Sequence, residues 1–246
     1  MRFVRMTAVV AAGMLALAGC GGDEGGSGGS GGDSGKVNTF EGQTAEQVLA
    51  TAQKAAQAAK SVHMKGEFSE GGSALKIDMV LSDGQGGQGT VSIDGDEMSV
   101  RQVGDDVYVK GGKEVWSTMV PDTAKAAEQL DGTWVHVRKT DSASQSFSQI
   151  TSMDSAFEGL LEAKTKKLTK VTGKDVNGTP TIGLEDKGET AEDASTLFIA
   201  ARGPAYPLLV EPKKKEQGHI TFSEWNADVK VEVPDGAKEL SDLVKS

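Results

Sequence analysis

Apolar and polar residues alternate along most of this chain, and in a few places the alternation gives way to a repeat of three to four. Ala45–Lys60 shows the second pattern: Val48, Ala52, Ala55 and Ala59 share one face. Thr44 and Gln47 before it have the S/T-x-x-E/Q spacing of a capping box, so a helix is predicted there. From Ser61 the period becomes two. Residues 62–68 read as a strand, and in 74–82 Leu75, Ile77, Met79 and Leu81 mark one apolar face. Thr90–Ile93 and Glu97–Val103 flank Asp94-Gly95-Asp96, a hairpin signal, and Val107–Lys110 continues the meander. Residues 113–131 read as two helical pieces broken at Pro121, with Asp122 capping the second. Trp134–Arg138 is a strand. Ser155 and Glu158 form a second capping-box spacing ahead of a helix with Phe157, Leu160 and Leu161 in its stripe, ending near Lys164. Strands follow at 166–176 and 179–185 around an Asn177-Gly178 turn, with Pro180 suggesting an edge. Others are expected near 195–201, 206–212, 217–224 and 228–233, and a short helix after Pro234.

Strand and helix do not alternate singly, so a doubly wound parallel sheet is not expected. The pattern predicts an α+β fold: a large curved antiparallel sheet with helices packed on its concave face.

Residues 1–20 stand apart. Arg2 and Arg5 precede an uncharged, mostly apolar run, Thr7 to Leu17, which ends in Leu17-Ala18-Gly19-Cys20. This is the layout of an export signal, and the run is shorter than the roughly 20 residues a membrane span needs. Leu-Ala-Gly-Cys resembles the bacterial lipobox, which implies cleavage before Cys20 and a covalent diacylglycerol group on its sulfur. Cys20 is also the only cysteine, so the rest of the chain forms no disulfide and must be stable from its core alone. Residues 21–35, GGDEGGSGGSGGDSG, form a flexible tether with a root-mean-square reach of about 20 Å. The chain therefore divides into a signal at 1–19, a lipidated cysteine and tether at 20–36, and one domain at 37–246. The expected location is the outer face of a membrane, held by lipid.

Charge narrows the functions further. Removing residues 1–19 leaves 24 basic residues against 36 acidic ones, a net charge of −12, which argues against nucleic acid as a partner. Ser73-Ala74-Leu75-Lys76 matches S-x-x-K, but in a strand residues three apart face opposite sides. His63, His136 and His219 are widely separated and have no metal-ligand spacing. The G-x-S-x-G and G-x-G-x-x-G matches in the tether follow from repeated Gly and Ser and lie outside any strand–helix context. No enzyme, cofactor or metal site is expected. Lys213-Lys214-Lys215 is the one dense basic run, readable as a solvated hairpin tip or as a candidate membrane contact with anionic headgroups.

A family resemblance rests on several segments. These are Ala59-Lys60-Ser61-Val62-His63, Gly104-Asp105-Asp106-Val107-Tyr108-Val109-Lys110 with Trp116 after it, and Gly132-Thr133-Trp134-Val135. Later come Thr196-Leu197-Phe198-Ile199, Pro207-Leu208-Leu209 and Phe222-Ser223-Glu224-Trp225. Across about residues 40–240 the order of elements resembles actinobacterial LppX/LprG-type lipoproteins and, more distantly, the LolA/LolB carriers. The resemblance implies a half-barrel of antiparallel strands around helices, a hydrophobic cavity between them, and acylated lipid or lipoprotein as cargo. The candidate lining is Leu75, Ile77, Met79, Leu81, Val91, Ile93, Met98 and Val100. The same stripe would arise from ordinary core packing. The alternative reading is a surface interaction or sensor module with a filled core and no lipid cargo, using the Gly/Asp-rich turns at 83–87 and 104–106.

Overall fold

The computed structural model describes residues 40–70, 72–119, 124–138, 147, 150–161, 168–190 and 193–240. Cys20, the tether, Pro121 and Asp122 lie outside the described residues. Residues 34–246 form one compact unit.

Helix α1 spans Ala45–Gln57 and begins with the expected capping box: the Thr44 hydroxyl accepts from the Gln47 amide, and the Gln47 side chain accepts from the Thr44 amide at 2.8 Å. Its buried face is Ala45, Val48, Ala52 and Ala56, one residue on from the Ala55 the sequence pattern suggests, with Ala59 buried just beyond the helix end. The 113–131 region forms α2 (Lys113–Met119) and α3 (Ala124–Leu130). Helix α4 spans Met153–Leu161. The capping box expected at Ser155 does not form, because Ser155 is already the third residue of the helix; its amide donates to the Ser152 hydroxyl, which caps instead.

The strands are β1 (Ser61–Glu70), β2 (Ser73–Ser82), β3 (Gly86–Ile93), β4 (Asp96–Val103), β5 (Asp106–Gly111), β6 (Val135–Val137) and β7 (Leu168–Val171). Then come β8 (Asp175–Val176), β9 (Thr179–Asp186), β10 (Ser195–Ala200), β11 (Pro207–Pro212), β12 (Gly218–Ser223) and β13 (Lys238–Glu239). All belong to one open sheet in the order β13-β6-β5-β4-β3-β2-β1-β12-β11-β10-β9-β7, with β8 on β9. Every pairing is antiparallel except the short parallel one between β13 and β6. Asp94-Gly95 and Asn177-Gly178 make the predicted tight turns, with φ of 53° and 99° and of 51° and 82°.

Three expectations change. Pro180 is not on an edge, since β9 pairs with β8 and β7 on one side and β10 on the other. It sits where β10 ends at Ala200, so its missing amide hydrogen falls at the end of that ladder. Residues 228–233 are extended but unpaired. They belong to a strap that leaves β12, is held by Asn226 N–H to Ser61 O (3.0 Å) and Arg101 Nη1 to Glu232 O (3.3 Å), and ends as β13. After Pro234 the chain first makes a turn and this strand, and helix begins only at Leu240, the residues beyond it lying outside those described.

Registers align the inward residues in rows across the sheet. One row is Phe222, Met64, Met79, Gly89, Val100, Val109 and Val135. These, together with the buried faces of α1 and α4, the buried Trp116 of α2 and the buried Leu130 of α3, form one continuous core. The α+β curved sheet with helices against one face is thus observed.

Candidate functional site

Strand parity turns the candidate lining residues to the helix-covered face, and they form a gradient of burial. Met79, Leu81 and Val100 are 0% exposed, so no water-sized space touches them. Ile77, Val91 and Met98 keep a trace of exposed surface, and Leu75 is half-buried. Ile93 departs from the others: it is 44% exposed, because β3 ends there and Asp94-Gly95 carries the chain around. Space for a ligand is therefore not lined by the centre of this set. Exposure rises toward one end of it, at Leu75 and Ile93.

The register identifies that end. Phe68 pairs with Leu75 and with Gly218, and Leu75 pairs with Ile93. Phe68, Leu75 and Ile220 are half-buried against the core, and Ile93 stands beyond them. Together they make an apolar rim across β12, β1, β2 and β3. Phe68 and Ile220 are absent from the sequence-derived set. Their alternation was legible, but which strands would be neighbours was not.

The Lys213-Lys214-Lys215 turn joins β11 to β12 and lies at this same end, its 3-10 turn Lys215–Gln217 packing on β1. Lys213 is ion-paired with the largely buried Glu185, and Lys214 is also engaged. The opposite rim carries an aromatic cluster. Trp225 stacks on Tyr206 (4.5 Å between ring centres, 4° between planes) and on Phe157 of α4 (5.5 Å), and Phe157 meets Phe222 at 5.3 Å.

The outer face is polar. A groove of about 660 Å³ there is bordered by Lys65, Glu67, Lys76, Asp78, Thr90, Ser92, His219 and Thr221, among others. Asp78 holds Lys65 Nζ at 2.6 Å and His63 Nε2 at 2.7 Å, and these hydrogen bonds, Lys65's first, keep its carboxyl below the usual aspartate range. A charged groove of this kind does not suit an acyl chain. His63, His136 and His219 sit on β1, β6 and β12 and do not converge. Among the described residues no group of three or more His, Cys, Asp or Glu could hold a metal ion. Ser73 and Lys76 fall on opposite faces of β2, and Lys76 approaches Glu67 at 3.7 Å. Among the described residues no helix is long and apolar enough to cross a membrane.

An open antiparallel sheet curved over four described helices, apolar within and polar without, makes a half-barrel of the kind that the sequence resemblance implies. The fold is shared with LprF from Mycobacterium bovis: TM-score 0.51 at 15% identity, over 78% of this chain and 97% of that one. Looser alignments join it to the Mycobacterium tuberculosis lipoprotein LppX (TM-score 0.42, 18% identity, 75% of this chain and 98% of that one) and to MucB in the Pseudomonas aeruginosa MucA/MucB complex (TM-score 0.38, 17% identity, 81% and 60%). No protein-family model and no curated protein sequence matches the chain.

Proposed function

We propose that this chain is an envelope lipoprotein, anchored by diacylglycerol on Cys20, that binds or carries acylated lipid between its sheet and helices. The observation that carries the reading is the apolar rim of Phe68, Leu75, Ile93 and Ile220, half-buried to exposed at the end of an otherwise sealed apolar face. Burying an acyl chain gains about 0.8 kcal/mol per methylene, enough to extract a lipid without chemistry. Because Met79, Leu81 and Val100 are sealed, an entering chain must part the helices from the sheet. The small face of α1 and the adaptable side chains of Met64, Met79 and Met98 favour such repacking.

Uptake of a fluorescent fatty-acyl probe tests this. Saturable uptake is expected, weakened several-fold by Leu75→Ser, with circular dichroism confirming that the variant is folded. A protein that shows no saturable uptake contradicts the reading. The sealed centre favours a second reading, an interaction module with no lipid cargo, and that result would select it.

A further inference from the structure

Among the described residues, the large apolar side chains that stand exposed are Ile93 and Val233, at 44% and 53%. Their surroundings differ. Val233 belongs to the extended strap and follows Glu232. Ile93 continues the row Phe68–Leu75–Ile93, so its exposed surface joins half-exposed neighbours in one apolar edge. A contiguous apolar edge rimmed by polar residues marks a contact surface.

The charges around this edge say what kind of surface it meets. Asp94 and Asp96 occupy the hairpin beside Ile93, with Glu97 next, and Glu216 lies in the β11–β12 turn. Lys213 is neutralised by Glu185 and Lys214 is engaged. With Lys213 paired to Glu185 and the acids Asp94, Asp96, Glu97 and Glu216 close by, this end offers anionic headgroups little net positive field. What remains to drive contact is apolar insertion.

We infer that this rim docks on a lipid bilayer by burying Ile93, with Leu75 and Phe68 behind it, and that the contact is apolar rather than electrostatic. The inference rests on the proposed lipid-binding reading and assigns the end through which lipid would pass. The long tether before Phe40 is consistent with a domain that reaches a membrane to which it is already attached.

Vesicle flotation tests the inference on residues 34–246, the compact unit, with circular dichroism confirming the fold of each variant. The wild type is expected to float with phosphatidylcholine vesicles. Ile93→Ser should reduce the bound fraction about five- to tenfold, the effect of withdrawing one large apolar side chain. Val233→Ser, which removes equal exposure elsewhere, should leave it unchanged. Adding phosphatidylglycerol should not strengthen binding. The inference is overturned if the wild type fails to float, if Ile93→Ser floats as well as wild type, if Val233→Ser loses as much, or if anionic lipid strengthens binding, which would make the lysine turn the contact. Acyl-probe uptake separates the two readings: flotation by a protein that takes up no probe leaves docking standing and removes the cargo reading.

Discussion

At the scale of single residues, two inward glycines show how closely the sheet and its cover are fitted. A side-chain carbon at Gly87 would stand 2.7 Å from Leu81 Cδ2 and 2.8 Å from the Thr151 carbonyl, and one at Gly89 would strike the backbone of Asp78. Thr151 is itself buried, with its hydroxyl donating to Phe147 O at 2.8 Å and meeting Gln102. Gly87→Val should therefore destabilise the domain by about 1–3 kcal/mol, the usual cost of overpacking, read as a lower denaturant midpoint. The tryptophans make a second comparison. Trp116 is buried and donates to Gly111 O at 3.1 Å, whereas the buried Trp225 Nε1 has no partner among the described residues. Trp116→Phe removes one of two hydrogen bonds to that carbonyl, which still accepts from Gly132 N–H at 3.0 Å, and should cost about 0.5–1.5 kcal/mol more than Trp225→Phe, measured by chemical unfolding. Neither distinction was legible in the sequence. Composition shows a glycine or a tryptophan, but only the fold shows which backbone presses on one and whether the other finds an acceptor.

At the scale of elements, β13 is held by very little. It pairs with β6 over Lys238 and Glu239, and the fastening is His136, whose Nδ1 meets Glu239 Oε1 at 2.7 Å and whose Nε2 meets Asp106 Oδ1 at 2.9 Å while its ring stacks on Tyr108. Burial lowers the imidazole pKa, but hydrogen bonds and charge from Glu239 and Asp106 outweigh it and the net shift is upward. A raised folded-state pKa stabilises the protein fully below the unfolded value of about 6.5 and loses that contribution as pH rises through the folded value. Protection factors in 232–240, which take out the base-catalysed rise of intrinsic exchange, should accordingly be higher at pH 6 than at pH 8, and His136→Gln should remove the difference. An unchanged difference in the variant would place the pH effect elsewhere. Most elements were readable: the capping box of α1, the period-two strands and the Asp94-Gly95 and Asn177-Gly178 turns all act locally. The strap was not. Its Val229, Val231 and Val233 alternate like a strand, but a strand also needs a neighbour, and the sequence does not say that β12 leads the chain away from the sheet.

At the scale of the whole molecule, the class of fold followed from the order of strand runs and helices, while the sheet order did not. Pairing of β1 with β12 joins segments far apart in the chain, and that pairing brings Ile220 and the lysine turn to the rim of Phe68, Leu75 and Ile93. The apolar stripe was visible from the start, yet its grading from a sealed centre to an exposed end was not. The anchor is a separate matter that the sequence alone proposes: Cys20→Ser should move the protein from the membrane fraction to the soluble one in its native host, and retention in the membrane would refute lipidation as the anchor. Cargo is decided most directly by native mass spectrometry with lipid extraction on residues 34–246 expressed in a bacterial host. Lipid binding between sheet and helices predicts an adduct of one acylated lipid that survives purification or forms on incubation with envelope extract. A bare protein mass under both conditions would contradict it and identify the sealed apolar face as core alone.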